Sequence, residues 1–512
     1  MPGEASGVSA ATAQPAALDA ATLACCRELI GRLFPWDTNR ALELALLKTF
    51  CLPSISGLLS QTGEFEQRPR KRYDDTGLMV AELVRLGPDS PGGRAVIQRL
   101  NRIHGHYAIH QADYAYVLSG FVAEPIRWMA RYGWRPLTAG EQQALFRFWD
   151  HVGALMGIAA RPSSLAALLA LNTHVEAQLF RSAASNQRVA EATLAMLLSP
   201  WPSALRPALA AGMRGLLEPA VLQSLNWPAA PGWLARALRA ALRLRSRLLA
   251  LRHRLWPPRR QRFYSERPTP SYGQGFALEQ LGPPPLLERL NQPRWRGPQR
   301  RIGLTGGIAT GKSSVGRLLA ARGLTVLDAD AFAREALAPG SAGARAVLER
   351  YGDAVRAQAR TVAGEPEDLD RAALGRIVFS DAAERQWLEQ LVHPLVRDRF
   401  AAELEQRAAE PAVVLMIPLL FEAGLEALCR EVWLVDCEES QQLQRLMERD
   451  QRSEAEARAR IAAQWPLARK RPLADVVLSN RGTPEQLTAA VATALSPGGG
   501  CPAPAPGTSS AR

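Results

Sequence analysis

Through most of the first 281 residues, apolar side chains recur at intervals of three and four. The segments Ala41 to Phe50, Leu78 to Leu86, Gly92 to Ile103, Glu141 to Met156, Pro162 to Ala183 and Asn186 to Leu198 each carry such a stripe. That is the period of a helix with one buried face. Pro and Gly punctuate the segments, and an all-α domain is predicted over residues 23–281. Past residue 299 the period changes. The short apolar runs RRIGLTG, LTVLDAD, AVVLMIP, EVWLVD and ADVVLSN alternate with helical segments. Strands of this kind, apolar on both faces, build a parallel sheet covered by helices on either side. The second domain, residues 300–495, is therefore expected to be α/β with five parallel strands. Ligands in such sheets bind at the carboxyl ends of the strands.

Three stretches lack either period. Residues 1–22 and 496–512 are rich in Ala, Ser, Gly and Pro and read as disordered tails. Residues 282–299 contain Pro283, Pro284, Pro285, Pro293 and Pro298 and read as a stiff linker between the domains.

Composition changes the picture only a little. At 512 residues the chain is too long for one core, and its 47% apolar and 22% charged residues are the balance of a globular protein. No apolar run is long enough to predict a membrane span. Met1 to Thr22 lacks the basic and then apolar regions of a signal peptide, so a cytoplasmic protein is expected. The formal charge of +13 would ordinarily point to nucleic acid. Here the basic residues are nearly all Arg, with Lys only at 48, 71, 312 and 470, which reads as compositional bias; no nucleic-acid partner is expected. One run is denser. Arg236 to Arg262 sets Arg among Leu and Ala at helical spacing, the pattern of an amphipathic helix with a solvated basic face. Peripheral contact with an anionic membrane is the sharper alternative. The six cysteines form no CxxC pair and argue for neither disulfides nor structural zinc.

Candidate chemistry begins where the first strand of the second domain ends. Gly306-Gly307-Ile308-Ala309-Thr310-Gly311-Lys312-Ser313 fits G-x-x-x-x-G-K-[ST], and Ser314 follows it. Glycines let the backbone curl so that successive N–H groups face phosphate oxygens, and the next helix presents its positive end to the same anion. Lys312 adds a charge for the β- and γ-phosphates, and the Ser313 hydroxyl can ligate Mg²⁺. ATP and Mg²⁺ are the cofactors expected. The following strand ends Leu327-Asp328-Ala329-Asp330, where residues two apart share a face. One carboxylate can take the proton of an acceptor hydroxyl while the other caps the next helix.

GLTGGIATGKSSV, LDADAFAREAL with a following Pro-Gly, LDRAALGRIVF, LVHPLV and IPLLFEAGL together resemble dephospho-coenzyme A kinase. LQRLMERD, RIAAQWPLARK and ADVVLSNRG continue the pattern in order, so that the resemblance covers Arg301 to Leu495. It implies a P-loop kinase fold with a helical lid, and ATP-dependent phosphorylation of the ribose 3′-hydroxyl of dephospho-coenzyme A. By motif, Asp330 would be the base or hydroxyl-orienting carboxylate and Asp328 its support. Arg371, Leu391, His393, Leu419, Leu420 and Glu422 would line the acceptor side. Arg445 and Arg449, four apart in the segment resembling the lid, would clamp the transferring phosphates. Asn480 would approach the adenine. The loop departs from the commoner family form in having Ala309-Thr310 where Gly-Ser is frequent.

RPRKRYDDTGLM, LNRIHGHYAIHQADYAYVL, YGWRPLTAGEQQALFRFWDHVGALMGI and YSERPTPSYGQGFALEQLG resemble a second family, the mpaB-like and rubber-oxygenase-like oxygenases. Members of that family characterised as oxygenases bind b-type haem, and the resemblance implies a site with an axial histidine on a helix and Arg and Thr nearby. By motif the axial ligand would be His104 and the Arg/Thr pair Arg72 and Thr76, with His106, His110 and His151 as spares. Asn101 stands where some members carry Arg, a departure that bears on ligation. Three readings of the whole chain follow. It is an active coenzyme A biosynthetic kinase fused to an oxygenase-like domain. Or its kinase half acts on another small molecule such as a nucleoside. Or it is a haem oxygenase of an apolar substrate with an accessory P-loop.

Overall fold

A computed structural model describes residues 17–357, 368–451 and 453–496. They form two compact units, Met1–Asn291 and Gln292–Arg512.

The first unit is helical nearly throughout, as the three-to-four spacing requires. Its centre is the helix Gln111–Tyr132, with Leu118, Val122, Trp128 and Met129 buried. Against it pack the helices Pro35–Thr49, Ala139–Leu155 and Leu165–Gln178. The Ala139–Leu155 helix starts at a capping box, Thr138 with Glu141, which fixes its first turn. The helix Pro69–Leu86 begins with Pro at its first position, where the missing N–H costs nothing.

Three boundaries differ from the sequence reading. The tail expected over residues 1–22 gives way to a helix at Ala20, because Asp19 accepts from the Thr22 amide and caps it; residues 1–16 lie outside the described residues, as do 497–512 of the other expected tail. The basic helix is Gly232–Leu255 and does not reach Arg262, since Pro257 and Pro258 cannot continue it. The segment read as a linker, 282–299, holds a helix over Pro284–Asn291. Its prolines sit at the start, where a helix tolerates them, and Leu290 is buried. The buried Arg99 guanidinium fastens this segment by donating to the Leu281, Glu279 and Leu290 carbonyls and to Asn291 Oδ1.

The second unit is built on a parallel sheet of five strands: β1 (Arg300–Gly306), β2 (Thr325–Asp328), β3 (Ala412–Met416), β4 (Glu431–Asp436) and β5 (Val476–Ser479). Their order is β2-β3-β1-β4-β5, all parallel, so the five apolar runs are the five strands. Alternate residues serve opposite faces. Ile302, Leu304, Val414, Met416 and Val435 meet Val315, Leu319 and Val491 on one side. Val413, Leu415 and Val432 meet Phe332, Phe400 and Leu420 on the other. A smaller cluster, with Ala344, Val347, Leu374 and Val378 at its centre, joins the helices Ala342–Tyr351, Arg371–Ser380 and Ala382–Gln406.

Candidate active site

The loop after β1 curls as its glycines allow and the next helix, Lys312–Ala320, starts without a side-chain cap. A Cβ on Gly306 would lie 2.7 Å from Thr310 Oγ1 and 2.9 Å from the Val435 carbonyl. Gly311 has φ +95° and touches Asn480 where a Cβ would be. Ala309 holds φ +59° without being glycine, a conformation that costs roughly 1–2 kcal/mol. Three side chains hold this loop from outside it. Gln442 Nε2 donates to the Ile308 carbonyl at 2.7 Å, Gln464 Oε1 accepts from the Ile308 amide at 2.8 Å, and Asn480 Nδ2 donates to the Thr310 carbonyl at 2.8 Å. What the loop offers to a ligand is the uncapped first turn, with its amides and positive dipole end. Ser313 is exposed there, with Ser314 beside it.

The two carboxylates after β2 have separate tasks. Asp328 is the N-cap of the helix Ala329–Ala336 and accepts from the Asp330 amide at 2.9 Å. The Asp330 carboxylate accepts no hydrogen bond from a described residue and is open to solvent on one side. Protein crowding it on its other sides raises its pKa above the ordinary carboxylate value; Lys312 opposes this and Asp328 adds to it. Lys312 is in turn held below the usual ammonium range by burial, with Asp330 the largest influence the other way. The two groups thus sense each other across the mouth of the loop without an ion pair.

Behind the loop lies a charged scaffold of which sequence reasoning named only Glu422, and that for the acceptor side. Lys470 is fully buried, 2.7 Å from Glu422 and donating to the Pro418 carbonyl at 3.2 Å. Glu422 also accepts from the Trp465 amide, so it ties the PLLFE turn to the WPLARK segment. Asp436 at the end of β4 is buried between Arg471 and Arg481, at 2.8 and 2.9 Å. One of only four lysines in the chain and a carboxylate ending an apolar strand were the signals available. Gln442 and Gln464 gave none.

The remaining expected residues are distributed unevenly. Arg445 donates to the Asn480 carbonyl at 3.0 Å, and its Nη1 is buried and unpartnered. Arg449 is exposed and paired with Asp450. Asn480 spends its amide nitrogen on the loop itself. Arg371 reaches the Arg334 carbonyl, joining its helix to the one that carries Asp330. His393 is exposed, whereas Leu391 packs among the small helical cluster. Leu419 is half-buried. Leu420 corrects the sequence reading. It is fully buried beneath β1, where a Cβ on Gly303 would touch it, and it supports the turn without lining a cleft.

A family model for dephospho-CoA kinase matches residues 300–486. The dephospho-CoA kinase of Synechococcus sp. (strain CC9605) is 67% identical over 186 residues, 36% of this chain and 87% of that one. The chain belongs to the dephospho-CoA kinase family. A second member of the family, from Parasynechococcus marenigrum, is 60% identical over 38% of this chain and 93% of its own. The dephospho-CoA kinase of Gloeobacter violaceus is 49% identical over 41% and 98%. Among solved structures, dephospho-CoA kinase from Campylobacter jejuni is 24% identical with a TM-score of 0.30, covering 38% of this chain and 94% of that one. All of these similarities fall in the second unit.

The first unit, outside the dephospho-CoA kinase similarity, encloses an apolar cavity of about 470 Å³. Leu100, Ile103, Val117, Phe121 and Trp149 are among its walls. His104, Arg72, Thr76 and Tyr107 bring polar atoms to it. Arg72 donates to Thr76 Oγ1 one helical turn on. His104 ends the helix Pro91–His104, and its Nδ1 is buried without a partner. Burial, and then the Arg72 charge, push the His104 pKa down to about 4, so the ring is neutral at physiological pH. The spare histidines point elsewhere. His106 Nδ1 lies 2.7 Å from the Arg102 carbonyl, His110 is exposed at a helix start, and His151 meets Asp89 at 2.9 Å. Asn101 is buried and donates to the Leu155 carbonyl. A family model described as the catalytic domain of ER-bound oxygenase mpaB/B′ and rubber oxygenase matches residues 43–250.

Proposed function

We propose that this chain transfers the γ-phosphoryl group of ATP to the 3′-hydroxyl of dephospho-coenzyme A, giving coenzyme A. The division of labour between Asp328 and Asp330 carries the reading. Asp328 is occupied as a helix cap, which leaves Asp330 as a carboxylate with no internal partner beside Lys312. A raised pKa suits a group that must accept a proton. The acceptor oxygen attacks the γ-phosphorus, the bond to the ADP oxygen breaks, and Asp330 takes the hydroxyl proton. Lys312 and the first-turn amides hold the β- and γ-phosphate oxygens, where charge is spread during transfer. Arg445, with its unpartnered Nη1, and Arg449 at the rim add positive charge on the lid side. Arg371, His393 and Leu419 face the acceptor in this reading. The residues present also suit Mg²⁺, a hard cation that keeps waters and takes few protein oxygens; Ser313 would hold it, and it would neutralise phosphate charge. We take the cytoplasm, where ATP is plentiful, as the compartment of the reaction.

The test is a kinase assay on the full chain with dephospho-coenzyme A and a panel of nucleosides. Turnover should appear with dephospho-coenzyme A alone. Lys312→Ala should abolish it with the fold intact, and Asp330→Asn should lower turnover by ~10²–10⁴-fold while sparing ATP affinity. Wild-type turnover in Lys312→Ala would overturn the assignment, and nucleoside turnover would move the substrate.

One observation favours a second activity in the first unit: the orphaned Nδ1 of a neutral His104 facing an apolar cavity beside Arg72. Those features suit b-type haem. His104 would be its ligand, Arg72 would meet an acidic edge, and the group would supply oxygen chemistry toward an apolar substrate.

A further inference from the structure

The helix Gly232–Leu255 has two apolar faces, and the fold uses one. On the inner face Leu242 is buried, Leu238 packs on the core, His253 meets Trp134 edge-on, and Ser246 donates to the Gly133 carbonyl. Arg245 pins the same face to Asp37 at 2.9 Å. On the outer face Trp233, Leu244, Leu248, Leu251 and Leu255 are each more than half exposed, at 66, 57, 58, 58 and 56%. With each residue advancing roughly 100°, these five fall within about 60° of arc and form one continuous stripe. Trp256, just past the helix, is 71% exposed. Single exposed leucines need no explanation; an aligned row of them does.

The charge around the stripe selects its occupant. Arg236, Arg243, Arg247 and Arg254 run along one border and Arg252 along the other. Ten arginines and no Asp or Glu lie between Pro219 and Ser265. Only part of that charge is answered internally, by Asp37 for Arg245 and by the Gly215 and Gly232 carbonyls for Arg239 and Arg236. An apolar stripe edged on both sides by cations matches the boundary between acyl chains and acidic headgroups. Arg can bury its stem beside the leucines and keep its guanidinium among the headgroups. Trp233 and Trp256 stand at the two ends, and tryptophan favours that boundary. A second copy of the chain would bring the same positive borders against these, which disfavours self-association here.

We propose that this helix lies flat on an anionic lipid surface and holds the protein there as a peripheral membrane protein. The helix does not span the bilayer, for no single helix among the described residues is long and apolar enough. The proposal rests on the first unit alone and is independent of the kinase reading.

The test is co-sedimentation of the full chain with vesicles of phosphatidylcholine, or of equal parts phosphatidylcholine and phosphatidylglycerol. The protein should pellet with the mixed vesicles and stay in solution with the neutral ones, and added salt should weaken the binding. The double variant Leu248→Glu/Leu251→Glu should lose about tenfold or more in vesicle affinity with unchanged circular dichroism and kinase turnover. Arg236→Gln/Arg247→Gln/Arg254→Gln should lose the preference for phosphatidylglycerol. Wild-type protein left in the supernatant with mixed vesicles would overturn the proposal, as would equal pelleting of the Leu248→Glu/Leu251→Glu variant. A dimer that this variant converts to monomer, without vesicle binding by the wild type, would assign the stripe to a second copy instead.

Discussion

Replacing Lys470 by Met removes a charge that the structure has sealed in. The ammonium group is fully buried, 2.7 Å from Glu422, and donates to the Pro418 carbonyl. Burial lowers its pKa, and the Glu422 carboxylate beside it opposes that. Met fits the volume but leaves Glu422 with a single donor, the Trp465 amide. Breaking a buried pair by removing one partner costs about 3–5 kcal/mol. Glu422 keeps 16% of its side chain exposed, so the lower end, about 3 kcal/mol, applies. For a domain of this size that is a fall of about 6–12 °C in melting temperature. The assay is the temperature of half-inactivation of kinase turnover, which avoids assuming one transition for a chain of two units. The double variant Lys470→Met/Glu422→Gln, which removes both charges, should recover part of the loss, as expected of coupled neighbours. Half-inactivation of Lys470→Met within about 2 °C of wild type would refute the reasoning, and so would a double variant no better than the single one.

Three further outcomes are expected. Gly311→Ala should cut turnover and ATP affinity together, because the residue holds φ +95° and the new Cβ would collide with Asn480; steady-state kinetics against ATP check this. Asp328→Asn keeps a capping side chain but removes a charge that raises the Asp330 pKa. Asp330 must be deprotonated to act, so the acid limb of kcat/KM should move to lower pH, while Lys312→Arg should leave it near its place; a limb that rises in Asp328→Asn would reverse the assigned direction. Full-length protein supplied with haem should show a Soret band that His104→Ala loses or shifts and His151→Ala retains, as read by absorption spectroscopy.

The sheet was legible because its strands are apolar on both faces and sit between helical segments, so each of the five runs could be a strand and little else. The phosphate loop was legible because a turn between strand and helix needs glycines at fixed places, and Ala309 stayed within that pattern even at φ +59°. The supports of the loop were not legible. Gln442, on a helix, and Gln464, in the bend after one, act through single hydrogen bonds to Ile308 from far along the chain, and glutamine at such positions looks like any solvated residue. Leu420 was misread for a related reason: adjacent residues in PLLFE leave the turn in opposite directions, and only the packing says which one enters the core. The proline count hid the helix Pro284–Asn291, because prolines that would break a helix interior are harmless at its start. In the first unit the histidines at 104, 106 and 110 were equivalent by type, and their surroundings separate them.

Arg99 sets where the halves can be parted. Its guanidinium grips three carbonyls and Asn291 at the end of the first unit, so a cut at residue 282 would strip two of the four acceptors, the Leu290 carbonyl and Asn291 Oδ1, from a buried cation. On the other side, Arg294 pairs with Asp475, and the Trp295 amide reaches the Ala427 carbonyl while its ring lies under Arg301. A kinase piece beginning at Gly297 would forfeit those anchors. The seam therefore lies between Asn291 and Arg294, and proteolysis or gene dissection elsewhere in the proline-rich stretch should yield at least one half with a frayed end.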